Sequence, residues 1–183
     1  MLIGFFPITG DPIHYGHLNG AMKVLHTFNL DTVFIQLCGD LTNHKPYKVS
    51  KYHRHQMAKL AIQEFHPYLQ YTPMGYDNTL VGESIFIEFI KNPAFCEVQK
   101  FYYIAGGDNE QIVLSRFIEN HHHIIKPYEI IFLTRANFKI KSYSKTVVYS
   151  ENISSSLFRM HQNKEIVPKS VLEYCINHHL YGY

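Results

Sequence analysis

Apolar positions along the chain fall into two rhythms that take turns. Residues 2–6 (LIGFF) form a short continuous apolar run, as expected of a strand buried on both faces. From His14 to Asn29 the spacing changes: Leu18, Ala21, Met22 and Leu25 recur at three- and four-residue steps, which predicts a helix with one buried face. Residues 32–38 (TVFIQLC) return to a strand. A polar loop over 39–49 leads to Ser50, an N-cap for a helix that carries Met57, Leu60, Ala61 and Phe65 inward. Strands are predicted at 69–72, 98–105, 128–134 and, more weakly, 146–149. Helices are predicted at 83–91, closed by Asn92-Pro93, after Asp108, from Ser154 or Ser155, and after Pro168, which suits a helix's first turn.

Strand and helix alternate over most of the length, which argues an α/β fold: a Rossmann-like parallel sheet with helices on both faces. The 183 residues fit a single domain, 1–183, whose final part from about 150 is all helix and forms a small helical C-terminal subdomain. No internal repeat or low-complexity linker interrupts it. A formal net charge of +2 calls for neither nucleic acid nor a membrane surface as partner. No apolar run nears the roughly 18–20 residues of a membrane span, and the start lacks the basic region of a signal peptide. Cys38, Cys96 and Cys175 are widely spaced and odd in number, so reduced thiols in a cytoplasmic protein are expected rather than a disulfide or zinc framework.

In an open parallel sheet, ligands gather outside the carboxyl ends of the strands, beside helix N-termini. The first such turn reads Thr9-Gly10-Asp11-Pro12-Ile13-His14-Tyr15-Gly16-His17. His14 and His17, three apart at a helix start, share a side. Gly16 between them lets a phosphate approach the backbone, and the helix start adds free N–H groups with partial positive charge. In a chain with thirteen histidines an H-x-x-H pair alone is weak evidence, and no third ligand near it suggests a metal site. Further along, Gly106-Gly107-Asp108-Asn109 follows a strand; its glycines permit close approach, and a carboxylate there can accept ribose hydroxyls. Ser154 and Ser155, with Arg159 one turn on, present hydroxyls and a bidentate guanidinium suited to phosphate. Each also has a plain reading: a turn, a helix cap, a surface arginine.

Taken together these strings resemble the nicotinate mononucleotide adenylyltransferases of bacteria, within the His-x-Gly-His nucleotidylyltransferase superfamily. The stretch T-x-D-P-I-H-Y-G-H-L carries the first motif. His44-Lys45-Pro46 resembles the family's H-K loop, and Arg54 with Met57 and Leu60-Ala61-Ile62 its R-x-x-M-x-x-L-A-I helix. Gly106 to Asn109 resembles its G-A-D-N turn. Ile153 to Arg159 resembles its I-S-S-T/S-x-x-R motif, and Val167 to Tyr181 its terminal helix. The resemblance implies that His14 and His17 contact ATP phosphates and stabilise the transition state. Thr9, Gly16, Lys45, Arg54, Ser154, Ser155 and Arg159 would serve the phosphates, and Gly106 and Asp108 the nucleotide. AMP would pass from ATP to nicotinate or nicotinamide mononucleotide, in NAD biosynthesis, with pyrophosphate released. Magnesium would ride on the triphosphate, not in a protein cage. ATP and a mononucleotide acceptor are the implied partners; an oligomer is compatible with the sequence.

The chain departs from the pattern at Pro7 and Ile8, where the family has glycines, at Gly10, where it has phenylalanine, and in having no tryptophan to stack on a pyridine ring. Phe117 is the expected substitute, and Thr79, in the segment 75–83 before a helix, the expected hydroxyl at the acceptor. These departures bear on the acceptor, nicotinate or nicotinamide, which the sequence leaves open. A phosphopantetheine adenylyltransferase shares the first motif and the I-S-S-S segment but lacks the tail after Val167. A cytidylyltransferase is a further alternative. A class I tRNA synthetase is excluded by length and by the early position of Lys48-Val49-Ser50-Lys51. A catalytically silent nucleotide-binding regulator would bind ATP and release no pyrophosphate. His121-His122-His123 point in different directions on a helix and read as a solvated helix end.

Overall fold

The computed structural model describes residues 1–39, 48–77, 82–120, 124, 126–135, 140–141, 145–149, 153–160 and 163–183, without the side chains of Asn120 and Arg135. Six strands, β1 (Leu2–Ile8), β2 (Thr32–Leu37), β3 (Leu69–Thr72), β4 (Lys100–Gly106), β5 (Tyr128–Arg135) and β6 (Lys145–Tyr149), form one sheet in the order β3-β2-β1-β4-β5-β6. Every neighbouring pair is parallel. The helices are α1 (Tyr15–Phe28), α2 (Lys51–Gln63), α3 (Gly82–Ile90), α4 (Glu110–Asn120), α5 (Ser155–Arg159) and α6 (Lys169–Asn177).

Side chains alternate along each strand and so divide the core in two. Ile8, Val33, Ile35, Ile104 and Leu133 face α1, α2 and α6. Ile3, Phe5, Phe101, Tyr103 and Phe132 face α3 and α4, where an aromatic cluster forms around Phe86 and Phe89. The final helical part shares the first of these cores: Phe158, Val167, Val171 and Cys175 are buried in it. Within α2 the inward face is shifted from the expected one. Met57 and Ala61 are buried as anticipated, but Arg54, His55 and Ala58 join them, while Leu60 and Phe65 stay partly exposed. The reason is that α2 lies between sheet and α6, so more than one narrow stripe is covered.

Pro7 sits inside a central strand, a position that normally costs a ladder hydrogen bond. The carbonyls of Leu2 and Ile8 accept from Asp31 and Cys38, so even-numbered residues of β1 bond toward β2 and odd ones toward β4. The missing N–H of Pro7 therefore falls on the β4 side. Pairing with β4 ends at Phe5↔Tyr103, where the next ladder bond would need that N–H, whereas pairing with β2 runs on to Ile8↔Leu37. The boundary between β1 and β4 is also where the strand order reverses, the position at which such sheets bind ligands.

Candidate active site

A cleft of about 540 Å³ opens at this switch point. It is lined by the end of β1 and the turn after it (Pro7 to Asp11), by His14, Gly16 and His17, by Gly106 to Asn109, and by Leu133, Thr134 and Tyr149. The segment from Ile153 to Ser156, with Arg159, completes it. Stretches far apart in sequence thus meet at the carboxyl edge of the sheet.

The first turn owes its shape to two glycines. Gly10 has a φ of +61°, in the left-handed region that favours glycine, and turns the chain beneath Leu37. At Gly16 a Cβ would lie 3.0 Å from the His14 ring. His14 is the N-cap of α1, with extended backbone, and His17 follows at the third helical position. Their rings stack with centroids 3.8 Å apart and planes inclined by 26°. The backbone N–H of His14 donates to Nδ1 of His17 over 3.3 Å. An accepting Nδ1 places the proton of a neutral imidazole on Nε2, which makes His17 an Nε2–H donor. Desolvation at the cleft wall lowers the pKa of His17 to about 4, so the ring is neutral at physiological pH.

The same turn is held by side chains from two other elements, α2 and α5. Nη1 of the fully buried Arg54 donates to the Thr9 carbonyl over 2.8 Å. The Ser155 hydroxyl donates to the Pro12 carbonyl over 3.0 Å, and Nη1 of Arg159 to the Asp11 carbonyl. Nη2 of Arg159 reaches the Ser156 hydroxyl at 3.1 Å. Ser154 caps α5, its hydroxyl accepting from the Leu157 N–H over 3.4 Å. Across the cleft, Asp108 is exposed in the 3₁₀ turn Gly107–Asn109 and accepts from Nδ2 of Asn109 at 3.3 Å.

Most of the residues expected from the sequence come together here: Thr9, His14, Gly16, His17, Gly106, Asp108, Ser154, Ser155 and Arg159 all line the cleft. Arg54 does not; it is buried behind the turn and holds it from beneath. Phe117 is a correction. It is 3% exposed and packs on Tyr103 and Tyr128 with centroids 4.8 and 5.2 Å away, because Val113 and Phe117 form the face of α4 turned to the sheet. It is a core residue and presents no ring to the cleft. Lys45, Thr79 and His121-His122-His123 lie outside the described residues. Asp11, Asn109, Thr134, Tyr149 and Ser156 line the cleft without having been singled out. Asp11 stood in the motif, but only its burial, 5% exposed, marks it as more than a turn residue.

A parallel sheet with a glycine-bearing turn, paired histidines and a serine–arginine helix at its switch point defines a nucleotidylyltransferase. Residues 5–161 match the cytidylyltransferase-like family model. The chain belongs to that family, and within it to the nicotinate-nucleotide adenylyltransferases. It is 31% identical to a probable nicotinate-nucleotide adenylyltransferase of Oceanobacillus iheyensis, over 99% of this chain and 97% of that one. A protein of the same description from Clostridium perfringens is 27% identical over 98% and 97%. The fold is shared with the Plasmodium falciparum nicotinic acid mononucleotide adenylyltransferase complexed with NaAD. The TM-score is 0.73 at 18% identity, covering 98% of this chain and 97% of that one. Among the described residues no helix is long and apolar enough to cross a membrane.

Proposed function

We propose that the chain transfers AMP from ATP to a pyridine mononucleotide, nicotinate mononucleotide by preference, and releases pyrophosphate. The observation that carries this reading is the stacked His14–His17 pair lining one cleft together with Arg159 and the serines at the start of α5. A phosphate oxygen of the mononucleotide attacks the α-phosphorus of ATP, the bond to the bridging oxygen of pyrophosphate breaks, and the negative charge that develops must be met. Such a reaction asks the protein mainly for positioning and charge stabilisation. Nε2–H of His17 is a ready donor to a phosphate oxygen, fixed in direction by the bond at Nδ1. Arg159 supplies fixed positive charge and further N–H donors. Asp108, at the end of β4, suits the ribose hydroxyls. Magnesium enters as part of the ATP substrate. Three free cysteines fit a reducing compartment, in keeping with a cytoplasmic enzyme.

The preference for nicotinate follows the full-length relatives. The test is kcat/KM for nicotinate mononucleotide, nicotinamide mononucleotide and 4′-phosphopantetheine with magnesium and ATP. The nicotinate compound should lead. A lead for phosphopantetheine, or no product from either pyridine mononucleotide, would refute the assignment.

A further inference from the structure

The last described segment reaches back to the phosphate-binding turn. Tyr181 lies in the 3₁₀ turn Leu180–Gly182, and its hydroxyl donates to Oδ1 of Asp11 over 2.6 Å. Oδ2 of the same carboxylate accepts from the Lys48 N–H over 2.8 Å. The Asp11 carbonyl accepts from Arg159. One residue at the cleft thus joins the turn after β1, the segment leading into α2, α5 and the segment after α6.

The segment is shaped to make this contact. His179 and Tyr181 have φ values of +51° and +58°, left-handed conformations that cost a residue with a Cβ about 1 kcal/mol or more each. Two such residues on either side of Leu180, whose side chain is buried, aim the Tyr181 ring past Phe158 at Asp11. Burial and the neighbouring carboxylate hold the Tyr181 phenol far above its ordinary range, so it remains a donor at every working pH.

A carboxylate beside a polyphosphate site is a liability, because like charges repel strongly where water is scarce. Asp11 is tolerable there only with both oxygens engaged. We infer that Tyr181 and Asp11 are a positioning pair: the tyrosine, from outside the cleft, pins the carboxylate so that the turn and Arg159 are set to receive the nucleotide. This inference rests on the proposed adenylyl transfer for its kinetic readout but not for its binding readout.

The experiment compares wild type with Tyr181→Phe, Asp11→Asn and the double variant. It records ATP Kd by calorimetry without acceptor, steady-state KM for ATP and for nicotinate mononucleotide, and thermal unfolding. Tyr181→Phe should raise the ATP Kd and KM by about tenfold, the scale of one lost hydrogen bond to a charged group, with the mononucleotide KM changed by less than about twofold. In the Asp11→Asn background, where no charge is left to pin, the same substitution should cost less than about threefold. A folded Tyr181→Phe protein with unchanged ATP binding would overturn the inference. So would equal losses for both substrates, or an effect of the same size in both backgrounds. If wild type binds ATP but makes no dinucleotide, the proposed function fails while the Kd values still decide this point. Should Tyr181→Phe not fold, Asp11→Asn alone decides: its ATP Kd must change while the mononucleotide KM does not.

Discussion

His17 is neutral at physiological pH, with its pKa drawn from 6.5 to about 4 by desolvation. Proton-nitrogen correlation spectra recorded across the acid range should therefore show its ring titrating well below the ordinary histidine value of 6.5. A midpoint near 6.5 would contradict the described packing. His17→Ala should reduce turnover by about a hundredfold or more, the scale of one lost transition-state donor, while the fold persists. Arg159→Lys should weaken ATP handling and leave the acceptor KM unchanged, since lysine cannot reproduce two parallel N–H donors. Both residues were legible in the sequence because each belongs to a short string with a fixed place after a strand. Arg54 was expected at the phosphates and instead lies behind the turn that lines the cleft. A helix arginine with polar neighbours gives no sign that it will be fully buried and aimed at the Thr9 carbonyl. Phe117 misled for the converse reason: a missing tryptophan invited an aromatic substitute, and periodicity alone places Phe117 with Val113 on the core face of α4.

At the scale of the element, the start of α1 concentrates the chemistry, and Gly16 is its sensitive point. Alanine there gains about 1 kcal/mol of helix propensity in general. Its Cβ, however, would stand 3.0 Å from the His14 ring, which is already stacked on His17. Gly16→Ala should leave the melting temperature equal or slightly higher and lower turnover by about tenfold or more, because the histidine pair must move. Unchanged turnover would mean that the pair tolerates displacement. Most element boundaries were readable from apolar spacing, and β6 was readable only weakly. It is an edge strand with two exposed residues at its start, so its pattern carries less apolar signal. The tether from Tyr181 to Asp11 had no sequence signal at all, since it depends on left-handed backbone at His179 and Tyr181, which are not glycines.

For the whole molecule, alternation of strand and helix gave the architecture, but the order β3-β2-β1-β4-β5-β6 and the early end of the β1–β4 ladder emerge only from the packed sheet. Pro7, which the sequence presented as a departure, stands where that ladder stops. Global stability should also carry the signature of two partly buried histidines. His17, and His53 lowered by burial and by His178, bind protons less readily folded than unfolded. Their contribution is present above the unfolded value of 6.5 and is lost as pH falls toward the folded values. The urea midpoint should thus drop between about pH 7 and pH 5, and His17→Asn should flatten that slope. A midpoint independent of pH in this window would count against it. The central claim is transfer of an adenylyl group, and the most direct measurement follows the α-phosphorus. With ATP labelled at that position, magnesium and nicotinate mononucleotide, the label should appear in a dinucleotide while unlabelled pyrophosphate is released in equal amount; label that stays in ATP, or a product carrying the γ-phosphate instead, would contradict the account.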